Sequence, residues 1–152
     1  MKYFFQLLIL IILTCCLSTS KADSWNTGKK LYDLNKYRQA YPYLNKAASN
    51  GNPEASYVLG QMYRFGYGVK QDYQQAFLHY LDAARQGNAD GEFALGYMYE
   101  HGLFVAQDYV KARLWYEYSA RQGETDSQVN LAGLYRKGLG GKRMKKKPFS
   151  GC

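Results

Sequence analysis

Residues that could do acid–base or metal chemistry are few in this sequence and lie far apart. His79 and His101 are its two histidines, and neither has a second ligand at metal-binding spacing or a nucleophile beside it. Asp72 and Asp108 each precede a helical pattern, so they are better explained as helix caps than as an acid and base pair. The sequence therefore predicts no catalytic residue, no bound metal and no cofactor, and the protein is not expected to be an enzyme.

The residues that do stand out are aromatic, and most of them recur with a fixed period. The chain holds 16 tyrosines, 7 phenylalanines and 2 tryptophans among its 152 residues. The stretch 55–87 is repeated thirty-six residues later as 91–123. A fixed period of this length is typical of solenoids, which stack one helical unit on the next. The coinciding pairs include Leu59 and Leu95, Gly60 and Gly96, Tyr63 and Tyr99, Asp72 and Asp108, Ala76 and Ala112, and Tyr80 and Tyr116.

Each repeat contains two helical patterns. The first places Val58, Leu59, Met62 and Tyr63 on one helix face, and a second apolar set with helical spacing starts at Ala76. These patterns predict a pair of helices in every repeat.

Glycines and polar residues mark the ends and contacts of these helices. Gly60 and Gly96 lie inside the first helix, where glycine costs about 1 kcal/mol relative to alanine, so they predict close approach of a neighbouring helix. Asn52 before a proline, and Asp72 before Gln75, are typical N-terminal caps. Two further glycines, Gly87 and Gly123, are predicted left-handed helix ends.

Two positions interrupt the regular pattern. Phe104 replaces the glycine seen at Gly68, so the sequence gives no assurance that the loop 101–107 keeps the backbone path of the loop 65–71. Pro42 falls inside the second helix of the N-terminal pair, where it is expected to bend or delay that helix.

The repeated pattern A/G-x-x-x-L-G-x-x-Y-x-x-G-x-x-V-x-x-D-x-x-x-A-x-x-x-Y closely resembles the Sel-one-like repeat (SLR), a relative of the tetratricopeptide repeat. The resemblance runs from about Trp25 to Gly140. It implies an all-α fold, a right-handed superhelical solenoid of antiparallel helix pairs, and a role in protein–protein interaction or scaffolding. Beyond the N-terminal region the only cysteine is Cys152, so the chain lies outside the cysteine-rich branch of this family. Some members of that branch have been labelled β-lactamases, and this sequence inherits no support for that activity.

The period divides the chain into segments. The predicted boundaries are a signal peptide at 1–22, an N-terminal capping repeat at 23–51, full repeats at 52–87 and 88–123, a truncated repeat at 124–140 and a basic tail at 141–152.

The N-terminal segment predicts export. Residues 3–17 form an apolar run that follows a lysine and is short for a membrane span, as in secretory signal peptides. Cleavage is expected after Ala22, with cleavage after Ser20 as the second choice. A lipoprotein signal acting on Cys15 or Cys16 is a less favoured alternative. The mature protein is therefore expected in the periplasm or outside the cell.

Positive charge is concentrated at the other end of the chain. Lysine and arginine number 20 against 12 acidic residues, a formal net charge of +8, and five of them lie in 142–147. The repeats themselves are nearly neutral, so they lack the charge of a nucleic-acid binder. The tail is expected to be disordered, with weak contact to anionic lipid as its one membrane role.

The tail also departs from the repeat, which predicts aspartate at 144, alanine at 148 and an aromatic residue near 151. The residues present are Met144, Pro148 and Gly151. Codons read one base earlier can encode Asp-Glu-Lys-Lys-Ala-x-Gln-Trp, with the aspartate, alanine and tryptophan spacing of the preceding repeat. A short insertion or deletion near codons 140–142 explains this pattern. The last helix pair would then lack its second helix, leaving three residues partly uncovered: Leu131, Leu134 and Tyr135.

A candidate binding groove follows from the resemblance to tetratricopeptide proteins, in which the first helix of each repeat lines the concave surface. Residues two before, two after and five after the leucine of each Leu-Gly pair then face the groove. Aromatic residues and arginine are the usual anchors of protein interfaces, although packing between repeats explains Tyr57 and Phe93 equally well. The predicted set is Trp25, Tyr57, Gln61, Arg64, Phe93, Tyr97, Glu100, Val129 and Arg136.

Together these features predict an exported, non-enzymatic adaptor or scaffold that binds a protein or peptide in a concave helical groove. Neither nucleic acid nor a small-molecule cofactor is an expected partner. The alternative is a secreted hydrolase or cell-wall-acting factor that uses the repeats only as a frame.

Overall fold

A computed structural model of the chain describes residues 23–141. The expectations for the signal peptide, its lipidation, the basic tail and the altered reading frame fall outside this range. Within it the chain forms seven α-helices and no strand, which confirms the predicted all-α succession of helix pairs. None of these helices is both long and apolar enough to cross a bilayer. The helices are α1 (23–33), α2 (Tyr37–Ser49), α3 (Pro53–Phe65), α4 (Tyr73–Arg85), α5 (Ala89–His101), α6 (Tyr109–Arg121) and α7 (Thr125–Lys137), followed by a 3-10 turn at Leu139–Gly141.

Side chains cap the helices as the sequence predicts. Asn52 Oδ1 accepts a hydrogen bond of 2.6 Å from a backbone N–H in the first turn of α3. Asp72 Oδ1 accepts two such bonds, of 2.9 and 3.0 Å, at the start of α4. Pro42 lies on the exposed side of α2, which begins at Tyr37 and continues through it. The equivalent caps are Asn88 for α5 and Asp108 for α6, and both predicted helix-end glycines, Gly87 and Gly123, have positive φ.

The described residues divide into two compact units, with the boundary inside α4 between His79 and Tyr80. In the first unit α2 packs against α3, and in the second α6 packs against both α5 and α7. The first core contains Ala40, Leu44, Val58, Leu59 and Met62. The second contains Ala112, Tyr116 and Leu134, with Phe93, Tyr99, Tyr109, Leu131 and Leu139 packed against them.

Close helix packing at Gly96 confirms the prediction made for this residue. A Cβ atom there would lie 2.6 Å from Cδ1 of the Tyr116 ring, well inside van der Waals contact. Only glycine therefore lets α6 bring Tyr116 this close to α5. Gly60, the equivalent residue of the first unit, is also buried in its helix.

The loops that follow α3 and α5 keep the same local conformation despite the exchange of glycine for Phe104. The φ angle is +71° at Gly68 and +64° at Phe104. In both loops a glutamine side chain donates a hydrogen bond of 2.7 Å to a carbonyl oxygen near the end of the preceding helix. The backbone N–H of the aspartate cap bonds to the same helix at 2.9 Å in both cases. These bonds hold Phe104 in a left-handed conformation that costs a phenylalanine about 1 kcal/mol.

Gly68 has a second reason to be glycine. A Cβ atom at this position would lie 2.7 Å from the backbone nitrogen of Arg38, at the start of α2. Gly140 occupies the equivalent position of the loop after α7, in the second unit. A Cβ atom there would lie 2.6 Å from the carbonyl oxygen of Tyr109, at the start of α6. At both glycines the loop therefore rests directly on backbone atoms of an earlier helix.

A buried polar network joins α6, α7 and the final turn. Arg113 is 8% exposed; its Nη1 lies 2.6 Å from Glu117 Oε1, and its Nε donates a 2.7 Å hydrogen bond to the Gly140 carbonyl oxygen. The Tyr135 hydroxyl donates a 2.5 Å hydrogen bond to the same Glu117 oxygen. The expectation of an uncovered surface at Leu131, Leu134 and Tyr135 is wrong for Leu134, which is 1% exposed, because the turn after α7 folds Leu139 onto this core.

Candidate protein-binding faces

The nine predicted groove residues separate into two groups, one in each unit. Within α3, α5 and α7 the predicted residues are spaced by three, four or seven positions and so share one face of their helix. We call the group on α1 and α3 the first face: Trp25, Tyr57, Gln61 and Arg64. The group on α5 and α7 is the second face: Phe93, Tyr97, Glu100, Val129 and Arg136.

A side-chain amide links the two helices of the first face. The Tyr32 hydroxyl on α1 donates a hydrogen bond of 3.3 Å to Gln61 Oε1, and Gln61 Nε2 donates a short one to the Tyr57 hydroxyl. Burial raises the pKa of Tyr32 to about 12, and the charges of neighbouring tyrosines add a smaller effect. The Tyr32 hydroxyl therefore stays protonated and can donate. Trp25 and Tyr57 are half-buried against the first core, so both also serve packing.

The cationic group of the first face lies over an aromatic row. The Arg64 guanidinium carbon is 4.8 Å from the centre of the Phe65 ring, and Phe65 stacks on Tyr67 at 5.4 Å. Tyr67 in turn stacks on Tyr37 at 4.7 Å. This contact with π faces is a normal stabilising environment for an arginine cation.

The second face is organised by a tyrosine beneath it. Tyr116 on α6 is fully buried, and its hydroxyl donates a hydrogen bond of 2.7 Å to Glu100 Oε2 on α5. The same hydroxyl accepts a bond of 3.3 Å from Asn130 Nδ2 on α7. Burial is the main cause of the raised pKa of Tyr116, and the bond to Glu100 adds to it, so the hydroxyl remains a donor at physiological pH. One buried hydroxyl thus sets the position of polar groups on two helices.

The remaining residues of the second face differ in exposure. Phe93 is half-buried, with its ring 5.8 Å from that of Tyr116, so it belongs partly to the core. Tyr97 stacks on His101 at 3.9 Å, and His101 Nδ1 donates to the Tyr97 carbonyl oxygen at 2.9 Å. Val129 is 64% exposed and Arg136 is also exposed.

Sequence reasoning missed Asn130, Tyr116 and Tyr32 as parts of these faces. For Asn130 a signal was available, because the equivalent positions of the two earlier repeats are the apolar Val58 and Ala94. A polar residue at an apolar repeat position indicates a local hydrogen-bond partner. Tyr116 gave no such signal, because a tyrosine recurs at this position and its hydroxyl was assigned to core packing.

Each of the two histidines stacks on a tyrosine ring. His79 stacks on Tyr63 with ring centres 5.4 Å apart. His101 is the last residue of α5, although the sequence places it in the following loop. Within the described residues 23–141, no three histidine, cysteine, aspartate or glutamate side chains cluster closely enough to hold a metal ion.

Comparison with protein families also finds four repeats along the chain. The profile of the Sel1 repeat matches residues 29–52, 53–88, 89–124 and 125–146. None of the curated proteins compared with the chain matches it.

Solved structures of repeat proteins are similar to this chain. The Sel1 repeat protein from Oxalobacter formigenes is 34% identical with a TM-score of 0.74, over 78% of this chain and 49% of its own. A protective antigen of uropathogenic Escherichia coli with an SLR fold, c5321, is 34% identical with a TM-score of 0.73, over 82% of this chain and 28% of its own. Cysteine rich protein B of Helicobacter pylori, 24% identical with a TM-score of 0.60 over 73% of this chain and 94% of its own, shares the fold. The chain thus spans about half or less of the first two relatives.

Proposed function

Because the chain belongs to the Sel1 repeat family, we propose that it is an exported, non-enzymatic adaptor that binds a protein or peptide partner. Sel1 repeats typically form scaffolds for protein interaction. The binding surfaces in this proposal are the first and second faces, which the resemblance to tetratricopeptide proteins assigns to the concave side of the helix pairs. The N-terminal apolar run supports export.

The observation that carries the proposal is the construction of the second face. Half-buried Tyr97 and exposed Val129 lie beside polar groups of Glu100 and Asn130 that are held in place by the buried Tyr116 hydroxyl. Binding costs less conformational entropy when the contacting groups are already ordered. A partly exposed aromatic residue next to ordered polar groups is typical of interface anchors.

One structural relative supports the exported location by analogy. The c5321 protein is described as a protective antigen present in uropathogenic Escherichia coli strains. The test is N-terminal sequencing of the protein recovered from periplasmic and culture fractions, with a start at Asp23 as the expected result. Recovery of an uncleaved chain from the cytoplasm would contradict export.

Partner binding is tested by site-specific cross-linking in cells. A photoreactive phenylalanine analogue replaces Val129 on the second face, and the matched control replaces Val110, which is 49% exposed on α6. We expect a discrete cross-linked protein from position 129 and not from position 110. The double variant Tyr97→Ala, Glu100→Ala is expected to abolish this product. Equal products from both positions, or turnover of an ester or cell-wall substrate by the purified chain alone, would contradict the adaptor function; the second result would favour the hydrolase alternative.

A further inference from the structure

We propose that the second face recognises a lysine or arginine side chain of the partner, with the cation lying against Glu100 and Asn130. This inference rests on the proposed binding function and names the chemistry that the second face selects. It follows from counting the hydrogen-bond donors and acceptors that remain at this face.

The Tyr116 hydroxyl has no proton left to donate to a ligand, and its oxygen already accepts one hydrogen bond. It donates to Glu100 Oε2 at 2.7 Å and accepts from Asn130 Nδ2 at 3.3 Å, and it is buried. A tyrosine hydroxyl has one proton to donate, and here that proton is used. Its role is to orient the two residues above it.

The atoms of Glu100 and Asn130 that stay available are both acceptors. No hydrogen bond among the described residues reaches Glu100 Oε1 or Asn130 Oδ1. The two oxygens belong to groups anchored on the same hydroxyl, and in this proposal one ligand group contacts both. A ligand that satisfies two acceptors must be a donor of several hydrogen bonds, and a carboxylate or a carbonyl group cannot do so. Lysine and arginine carry at least three donors and no acceptor, and they are positively charged.

Charge adds to this preference. None of the ion pairs among residues 23–141 includes Glu100. By contrast, Arg113 and Glu117 on α6 form an ion pair at 2.6 Å. A half-buried carboxylate that lacks a cationic partner gains most from a positively charged ligand, because hydrogen bonds between charged groups are about twice as strong as neutral ones. Tyr97 lies one helical turn before Glu100 and offers an aromatic ring to the aliphatic stem or the cation.

The test uses blocked peptides and the full chain. The probes are acetyl-Gly-Gly-Lys-Gly-Gly-amide, its arginine equivalent, and the uncharged norleucine analogue, with binding followed by NMR shifts of the Asn130 side-chain amide and the Tyr97 backbone amide. We expect the lysine and arginine peptides to bind about tenfold more tightly than the norleucine peptide. Equal affinity for the three peptides, or shifts confined to other residues, would overturn the proposal.

Two variants locate the effect. Glu100→Gln keeps an acceptor for Tyr116 but replaces the outward carboxylate oxygen by an amide, so it should remove the preference for lysine over norleucine. The matched control Glu54→Gln changes an exposed carboxylate in the first turn of α3 and should leave the preference intact. Circular dichroism of both variants checks folding. A lysine preference that survives Glu100→Gln, or that is lost equally in Glu54→Gln, contradicts the assignment.

The same variants separate this inference from the function on which it rests. If the cross-linked partner is lost in the Tyr97→Ala, Glu100→Ala double variant but retained in Glu100→Gln, the adaptor function stands and the cation site is wrong. If the lysine peptide binds as expected but no partner is cross-linked from position 129, the cation site stands and the adaptor function fails.

Discussion

The two units use the same repeat but differ in how they hold the charged residue of their face. Arg64 and Glu100 occupy equivalent positions thirty-six residues apart. Arg64 lies over Phe65, whereas Glu100 accepts a hydrogen bond from the buried Tyr116. The residue thirty-six positions before Tyr116 is Tyr80, which is also fully buried. A buried tyrosine therefore recurs in both repeats, and the two repeats differ in the charged residue that stands sixteen positions before it, arginine at 64 and glutamate at 100.

This difference teaches that a repeat can change the chemistry of its face by exchanging one charged residue while the buried tyrosine stays the same. The two equivalent loops keep the same hydrogen bonds to the preceding helix, so at these loops the difference is in the side chain at positions 68 and 104. In the second unit, polar residues also replace apolar ones between helices: Arg113 and Glu117 stand where the preceding repeat has Phe77 and Leu81. The second unit is thus held by more buried hydrogen bonds than its apolar repeat pattern suggests.

The largest expected effect comes from disrupting the contact between Gly96 and Tyr116 beneath the second face. Gly96→Leu forces a side chain into the Tyr116 ring, where even a Cβ atom would lie at 2.6 Å. Overpacking of this kind costs about 3 kcal/mol, and it moves Tyr116 away from Glu100. Urea denaturation measures the loss. An unchanged unfolding midpoint would show that α5 and α6 are not packed at this distance.

Exchanges in the two equivalent loops should act in opposite directions. Gly68→Ala places a Cβ atom 2.7 Å from the Arg38 backbone nitrogen at a positive φ, so we expect a loss of about 2 kcal/mol. Phe104→Gly relieves a left-handed phenylalanine and should raise the free energy of unfolding by about 0.5 to 1 kcal/mol. Thermal melts of both variants provide the measurement. Destabilisation by Phe104→Gly would mean that the side chain contributes more than its conformation costs.

Removing the Tyr116 hydroxyl alone separates the charge of Glu100 from its orientation. Tyr116→Phe keeps the ring but takes the donor from Glu100 and the acceptor from Asn130, at a cost of about 1 to 2 kcal/mol. The lysine preference of the second face should weaken as well, because Glu100 is no longer oriented. The control is Tyr118→Phe, which removes an exposed hydroxyl on the same helix and should change neither quantity. If Tyr116→Phe also leaves both unchanged, the hydroxyl does not organise this face.

The smallest effect concerns Glu92, a second carboxylate of α5. It is 7% exposed, and burial raises its pKa above the ordinary glutamate value, although Gln122 Nε2 donates to it at 2.8 Å. The folded state therefore binds this proton more tightly than the unfolded chain. Its contribution favours folding below the ordinary glutamate pKa and is lost as pH rises through the raised value.

Glu92→Gln should accordingly raise the free energy of unfolding at neutral pH, by less than about 1 kcal/mol. The gain should shrink as the pH falls below the ordinary glutamate pKa, where Glu92 is protonated in both states. Urea titrations at several pH values measure this trend, with Glu54→Gln as the exposed control. A gain that is independent of pH would point to packing and not to charge.

Local sequence was sufficient for the helix pairs, the caps and the helix-end glycines. Helical spacing, a polar side chain before the first turn and a glycine after the last turn act over three or four residues, so Asn52, Asp72 and Gly87 could be interpreted without any tertiary contact. The resemblance to Sel-one-like repeats then supplied the nine candidate residues of the two faces. Phe104 lay beyond this reasoning, because the bonds that hold its loop come from Gln107 and Asp108 and outweigh its own conformational preference.

Only the folded chain decided which polar atoms meet. Glu100, Tyr116 and Asn130 lie on three helices and are separated by 16 and 14 residues along the sequence, yet one hydroxyl joins them. No local pattern specifies such a contact, because it depends on how closely α5, α6 and α7 pack and on the glycine at position 96 that lets Tyr116 approach. The turn 139–141 shows the same dependence, since its return onto α6 and α7 buries Leu134 and pairs Arg113 with the Gly140 carbonyl oxygen. Helix spacing determines which side chains share a face, and tertiary packing determines what that face can bind.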